Sequence, residues 1–126
     1  MKILLIVKAA VEASTGISLT LFPSAILFLL LGSSLYAAPG KVVCWIAGAA
    51  LFAIGIACWT ARNEARSHAA IGLLAGTMVY DAAVVVILLL ARFHLGLLGM
   101  ALWPAVALHL GLAASSVVCI RQASRV

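Results

Sequence analysis

The sequence predicts an all-α fold, a bundle of four transmembrane helices with a short additional helix after the first span. The 126 residues are 67% hydrophobic and only 9% charged, whereas soluble domains average about half apolar and a quarter charged residues. The mean hydropathy is +1.29. Four apolar stretches are each long enough to cross a hydrocarbon core about 30 Å thick. With their connectors they fill the chain, so we expect a single integral membrane domain over residues 1–126.

The net charge of +5 does not indicate a nucleic-acid partner. A nucleic-acid interface needs Lys and Arg clustered on one surface, whereas here they stand singly at the ends of apolar runs. Near the N-terminus Lys8 interrupts the apolar run, and no clear small-x-small cleavage site follows. We therefore expect the first segment to be a retained span rather than a signal peptide.

The first span covers residues 3–22 and ends before Pro23. Proline lacks the backbone donor that a helix interior requires, and it disfavours helix in the residue before it. Residues 24–31 are apolar but too short to cross a bilayer, which predicts a short interfacial helix. A single kinked helix over residues 3–31 is the alternative. Residues 32–40 are rich in turn formers and supply the connector.

The second span covers residues 42–60 and carries small residues at a spacing that lets helix backbones approach closely in lipid. These residues are Ala49, Ala53 and Ala57, with Gly48 and Gly55 nearby. Trp45 and Trp59 lie near the two ends of the span, where interfacial indoles are common. We expect the small-residue face to pack on another helix.

The third span covers residues 69–91 and follows a polar connector over residues 62–68. It opens with Gly72-x-x-x-Gly76, a weak match to the pattern of close helix packing. The fourth span covers residues 100–118, with Trp103-Pro104 either in its first turn or at a kink.

The orientation follows from the Lys and Arg residues that flank the spans, because the richer side stays cytoplasmic. Two basic residues, Lys41 and Arg92, lie on the side opposite the termini. Six lie on the side of the termini: Lys2, Lys8, Arg62, Arg66, Arg121 and Arg125. We predict a multi-pass protein of the bacterial inner (cytoplasmic) membrane with both termini in the cytoplasm.

Three ionisable residues fall in the middle third of the predicted bilayer, namely Asp81, His109 and Glu12. A carboxylate at this depth costs about 3 kcal/mol on insertion scales, so such residues face protein or water and commonly serve a function. Together they suggest a proton relay, a metal site or the polar end of a ligand pocket. Asp81 is the leading candidate for a ligand- or proton-binding residue.

Each candidate also has a structural explanation. Lys8 precedes Glu12 by four residues, so the two can pair on one helix face, and Lys8 can also extend to the cytoplasmic surface. Asp81 has only the hydroxyl of Thr77 one turn earlier, so it must find His109, Lys8, a serine or water. Tyr80 is adjacent in sequence but points about 100° away around the helix, so it need not share the site. We expect supporting roles for Lys8, Tyr80 and Thr77.

The serine and threonine side chains of the spans are expected to bond the carbonyl one turn back or to bond across helices. They are Ser14, Thr15, Ser18, Thr20, Thr77, Ser115 and Ser116.

No metal site or cofactor is predicted. Glu12, Asp81 and His109 would come from three helices without a local spacing motif, which is a weak metal signal. Cys44, Cys58 and Cys119 show neither CxxC nor a Cys/His spacing. Cys44 and Cys58 lie about 21 Å apart along one predicted helix and cannot form a disulfide. All three are expected to be small packing residues.

The order of features resembles small bacterial four-span proteins near the DoxX-like families. The features are Leu21-Phe-Pro-Ser24 at the end of span one, Gly48-Ala-Ala-Leu-Phe-Ala-Ile-Gly55 in span two, an Arg-rich connector, and Trp103-Pro104 followed by His109 in span four. The likeness covers nearly the whole chain and implies a fold more than a function.

Glu12 also resembles the membrane-embedded glutamate in span one of small multidrug-resistance exporters, which exchange protons for cationic drugs. This chain departs from that family in span three, where it has Asp81 and lacks the family's aromatic-rich motif. Its clear charge bias also argues against the dual topology of some exporters.

Three functions remain open, in this order. The first is a non-enzymatic membrane protein that binds a hydrophobic or lipid-like small molecule or serves as an accessory subunit. The second is a proton-coupled transporter acting as an oligomer. The third is a membrane enzyme using Asp81 and His109 as acid and base, without a nucleophile or cofactor motif beside them. The expected partners are the lipid bilayer, a hydrophobic small molecule, and a homo-oligomer or larger membrane complex.

Overall fold

The computed structural model of this chain describes residues 1–34, 37–64 and 67–123. These residues form five α-helices, and no strand occurs among them: α1 Lys2–Leu21, α2 Pro23–Leu31, α3 Ala38–Ala61, α4 His68–Phe93 and α5 Leu102–Ala123. The predicted all-α fold, with a short helix after the first long one, is confirmed. The four long helices are apolar and long enough to cross a membrane.

The chain breaks between α1 and α2 at Phe22, whose backbone angles of φ −130° and ψ 53° are not helical. Pro23 causes the break, because its missing N–H group and its ring fit the first turn of a new helix but not a helix interior. α1 and α2 are therefore two helices rather than one kinked helix. For Trp103-Pro104, the sequence left open a position in the first turn or at a kink. Pro104 lies in the first turn of α5.

α1 packs chiefly on α3, and glycines allow their backbones to touch. A Cβ atom added to Gly16 would lie 2.6 Å from the Gly48 carbonyl oxygen, and one added to Gly55 would lie 2.8 Å from the Ala13 nitrogen. The expected close packing at Gly48 and Gly55 therefore occurs against α1.

The alanine part of that prediction needs correction, because Ala49 and Ala53 are exposed and Ala57 is only half-buried. The buried face of α3 is instead the one that carries both glycines, and its residues are Cys44, Gly48, Leu51, Gly55 and Cys58. Their spacing of four, three, four and three residues keeps one narrow stripe of a helix facing a partner. Ala49, Ala53 and Ala57 lie on a different side of the helix.

α4 packs chiefly on α5. The prediction of close packing at Gly72 and Gly76 does not hold within this chain, since a Cβ atom added to either would meet nothing within 4 Å. The buried face of α4 instead carries larger residues, among them Leu74, Asp81, Val85 and Leu88. The glycine pair lies on the outward side.

Two apolar clusters join the helix pairs. At one end, Leu5 and Ala9 of α1 pack with Cys58 of α3 and Leu74 of α4, and Cys119 of α5 packs against them. The start of α1, the end of α3, the start of α4 and the end of α5 therefore share this end. Cys44, Cys58 and Cys119 are all free thiols.

At the other end, Val85 and Leu88 of α4 pack with Leu102 and Val106 of α5. The C-terminal part of α2 packs against this second cluster, and the Ala101 N–H group donates a 2.8 Å hydrogen bond to the Leu29 carbonyl. α2 thus fastens the α4–α5 connector.

The outer surface is strongly apolar, with large hydrophobic side chains exposed on every helix. Examples in chain order are Ile3, Phe28, Ile46, Val79 and Leu110. The interior, in contrast, contains charged side chains, and these form the candidate site.

Candidate functional site

Asp81 is at the centre of a polar network that joins three helices. It lies midway along α4 and is completely buried. Lys8 of α1 donates a hydrogen bond from Nζ to one carboxylate oxygen, Oδ2. The Nδ1 atom of His109, on α5, lies 2.7 Å from the other oxygen, Oδ1. The structure therefore brings together two of the predicted site residues, Asp81 and His109, with Lys8 as the third member.

The direction of this hydrogen bond depends on the charge of Asp81. If Asp81 is ionised, its carboxylate only accepts hydrogen bonds, and the His109 Nδ1–H group is the donor to Oδ1. A neutral His109 then has Nε2 as an acceptor, whereas a protonated His109 has a second donor there. Ala105 and Ala113 lie one turn away on either side of His109 in α5, so the face that carries the imidazole is lined by small side chains.

Tyr80 also reaches this network, although its position next to Asp81 suggested otherwise. Its ring packs edge-on against the His109 ring, with 5.8 Å between centroids and 80° between planes. Although about 100° of rotation separates the two side chains on α4, both reach α5. Asp81 contacts Lys8 of α1 and His109 of α5, whereas Tyr80 contacts only the His109 ring among these residues. Tyr80 thus contacts the imidazole that pairs with Asp81.

Thr77 and three further hydroxyls act within their own helices, as predicted. The Thr77 hydroxyl is buried and donates to the Leu74 carbonyl over 3.1 Å. Ser14, Thr20 and Ser116 likewise donate to carbonyls three or four residues earlier. The Thr77 hydroxyl therefore bonds its own helix and not Asp81.

Glu12 lies one turn after Lys8 on α1 and is 1% exposed. Its Oε1 atom is buried and has no hydrogen-bond donor among the described residues. Its charge interacts electrostatically with those of Asp81, His109 and Lys8. Glu12 therefore differs from Asp81, because one of its carboxyl oxygens accepts no hydrogen bond from the described residues.

The sequence allowed two positions for the Lys8 amine, paired with Glu12 or extended to the surface, and the structure shows neither. The amine neither extends to the surface nor pairs with Glu12, because it is completely buried and donates to Asp81. The sequence predicted only a supporting role for Lys8. Its central role depends on how α1 is rotated against α4, and the sequence near Lys8 does not indicate that rotation.

The four residues Lys8, Glu12, Asp81 and His109 are hereafter called the interior cluster. With Lys8 charged and Asp81 ionised, that pair is neutral. The whole cluster is then neutral in two ways: with the proton on Glu12 and His109 neutral, or with Glu12 ionised and His109 protonated. These two arrangements have the same net charge and differ only in which of Glu12 and His109 holds one proton.

The metal and enzyme interpretations gain no support from this geometry. Among the residues that the structure describes, no group of three His, Cys, Asp or Glu side chains is arranged to hold a metal ion. Both carboxylate oxygens of Asp81 accept hydrogen bonds from Lys8 and His109, which leaves Asp81 poorly placed to take a proton from a substrate.

No family model matches this chain, and neither a curated protein nor a solved structure is found to be similar to it. The resemblances to DoxX-like proteins and to small multidrug-resistance exporters therefore stay predictions.

Proposed function

We propose that this chain is a multi-pass membrane protein, a four-helix bundle in a lipid bilayer, that couples proton binding at the interior cluster to transport of a small hydrophobic cation. Membrane location is supported by four long apolar helices and by their apolar outer surface. Trp45 and Trp59 lie half-exposed near opposite ends of α3, as interfacial anchors do. The termini would lie in the cytoplasm.

The observation that carries the proposal is the buried Glu12 oxygen without a donor. A buried carboxylate that lacks hydrogen bonds is costly, and the cost is removed when the group binds either a proton or a cation. The Lys8 amine donates to Asp81, and no described donor bonds the Oε1 atom of Glu12. Glu12 is therefore the group at which a proton and a cationic substrate would compete.

The charge of the interior cluster gives the stoichiometry. When the cluster loses its one exchangeable proton, it carries a net charge of −1. A monovalent cation that then enters restores neutrality, and a proton that returns displaces it. Exchange of one proton for one cation follows, and this also fits the resemblance of Glu12 to the exporter glutamate. Transport by so few helices favours an oligomer.

Tetraphenylphosphonium is a suitable probe cation. We expect proteoliposomes with an imposed pH gradient to accumulate it, and Glu12→Gln to reduce the uptake at least tenfold while helicity and elution volume stay unchanged. Gln keeps the size of the side chain but can neither release a proton nor carry a negative charge. Glu64→Gln is the matched control, because Glu64 is the only other glutamate and is exposed.

Equal uptake by Glu12→Gln and the parent protein would overturn the proposal, and so would an equal loss in Glu64→Gln. Absence of gradient-driven uptake in the parent protein would exclude lipophilic cations as the substrate class.

A second candidate is the non-enzymatic binder of a lipid-like molecule or accessory subunit. A specific feature favours binding, namely a cavity at the end of the molecule opposite the termini. The interior cluster itself is an unfavourable polar end for a ligand, because Asp81 is already paired on both oxygens. Binding would therefore occur away from the cluster.

A further inference from the structure

A cavity of about 460 Å³ opens where α1 ends, α2 begins and α3 begins. Its lining includes Thr20, Phe22, Ser24, Ala25, Lys41 and Trp45. The cavity belongs to the end of the molecule opposite the termini, and no member of the interior cluster lines it. It is a separate site.

The charge around this cavity is positive and has no counter-ion. Lys41 lines the cavity, and none of the described lining residues is acidic. No ion pair involves Lys41 within the part of the chain that the structure describes. A lysine beside apolar walls, with no acid in reach, favours binding of an anion.

The helix geometry adds to the positive potential. α2 begins at Pro23 and α3 begins at Ala38, and neither start has a side-chain cap. Pro23 to Ala25 and Lys41 put the first turns of both helices at the cavity. Free N–H groups at a helix start carry partial positive charge, so both turns support the anion preference of Lys41. The Ser24 hydroxyl, which also lines the cavity, offers a further donor, whereas the Thr20 hydroxyl donates to the Gly16 carbonyl.

The rest of the cavity is apolar and aromatic. Phe22 is 63% exposed and Trp45 is 49% exposed, so both present ring surface beside the cation. The cavity thus has a cationic end at Lys41 and an apolar side at Phe22 and Trp45. A ligand that carries both an oxyanion and an acyl chain fits these two parts. A zwitterionic headgroup fits less well, because its quaternary amine would be repelled by Lys41.

We infer that this cavity binds one anionic phospholipid, with the headgroup phosphate at Lys41 and an acyl chain along Phe22 and Trp45. The inference rests on the proposed membrane location and is independent of proton coupling. A free fatty acid offers the same kind of oxyanion, and competition with oleate separates the two sources.

The test is native mass spectrometry of the full chain released from nanodiscs that contain equal amounts of phosphatidylglycerol and phosphatidylcholine. We expect one retained phosphatidylglycerol per chain and a preference over phosphatidylcholine. Lys41→Gln should lower that preference about fivefold, the effect of one interfacial lysine, and Lys41→Arg should keep it. Ala25→Phe, which fills the cavity without changing charge, should lower retention of both lipids.

Arg92→Gln is the control, since Arg92 is the other basic residue predicted on this side of the membrane but lies outside the cavity. An equal loss in Arg92→Gln, or an unchanged preference in Lys41→Gln, would overturn the site. Displacement of phosphatidylglycerol by equimolar oleate would overturn the assignment to a phospholipid. Failure of the parent protein to enter nanodiscs would overturn the membrane location and the lipid site together. Proton-coupled uptake should be unchanged in Lys41→Gln, so loss of the lipid site can be distinguished from loss of transport.

Discussion

At the scale of single residues, the main energetic question is how the four ionisable side chains of the interior cluster are accommodated among apolar helices. Each ion loses its hydration, and mutual attraction offsets that loss only where the geometry is good and the remaining lone pairs are satisfied. Asp81 meets this condition, because Lys8 and His109 each bond a different carboxylate oxygen. Glu12 does not, which is why it and not Asp81 is proposed to exchange its proton.

The Lys8–Asp81 pair should show strong coupling in a double-mutant cycle. Lys8→Met and Asp81→Leu should each destabilise the protein by about 3–5 kcal/mol, because each leaves an unpaired buried charge. The double variant should be destabilised by clearly less than the sum, since neither charge remains. Thermal unfolding in detergent measures all four proteins. Lys2→Met, on the exposed start of α1, controls for loss of a positive charge, and additive losses would contradict the pairing.

The members of the site could be predicted from the sequence, but their pairing could not. Asp81, His109 and Glu12 stand out because each is ionisable and deep within an apolar run. Their partners depend on how α1, α4 and α5 are rotated against one another, and helical spacing within one span carries no information on that. The spacing of four residues suggested Glu12 as the partner of Lys8, whereas the Lys8 amine donates to Asp81, 73 positions away.

At the scale of helices, the two long-helix pairs are packed by different means. α1 and α3 touch through glycine backbones, whereas α4 and α5 pack through Leu, Val and the Asp81–His109 bond. Backbone contact cannot adjust as a flexible side chain can, so a single added methyl group at the α1–α3 contact must separate the helices.

Two glycine-to-alanine changes test this difference. Gly16→Ala should destabilise the protein by about 1–3 kcal/mol, the usual cost of overpacking, because the new Cβ would lie 2.6 Å from both the Gly48 oxygen and the Phe52 nitrogen. Gly76→Ala should be neutral or stabilising, because its Cβ meets nothing within 4 Å and alanine favours helix. Thermal unfolding of both variants is the measurement.

If Gly76→Ala were the more damaging change, α4 would have to be covered by a partner, such as a second copy of this chain, and the single-chain account of packing would fail.

Helix positions followed from hydropathy and proline, because both act locally. The expected short helix over residues 24–31 is found as Pro23–Leu31. Which face of each helix is buried did not follow. Small residues occur on more than one side of α3 and α4, and only the three-dimensional fit shows that Gly48 and Gly55 are covered while Gly72 and Gly76 are open.

At the scale of the whole molecule, the withdrawal of Lys8 into the interior changes the charge balance of the two ends. Lys8 no longer counts as a flanking residue, because it is bound to Asp81. Two basic residues, Lys41 and Arg92, belong to one end of the molecule. The end with the termini retains Lys2, Arg62, Arg66, Arg121 and Arg125, although Arg66 and Arg125 lie outside the described residues. The bias is smaller but has the same sign, so cytoplasmic termini remain the prediction.

Cysteine labelling in intact cells tests this orientation at two exposed positions on opposite ends of the molecule. Ser33 follows α2, and Asn63 follows α3. A membrane-impermeant maleimide should label Ser33→Cys in intact cells but should label Asn63→Cys only after the cells are permeabilised. The parent protein is the control for Cys44, Cys58 and Cys119, of which two are buried and the third is half-buried. The reverse pattern would invert the topology. Labelling of both positions in intact cells would mean that no membrane separates them, and the four-span arrangement would then be wrong, because α3 lies between these two positions.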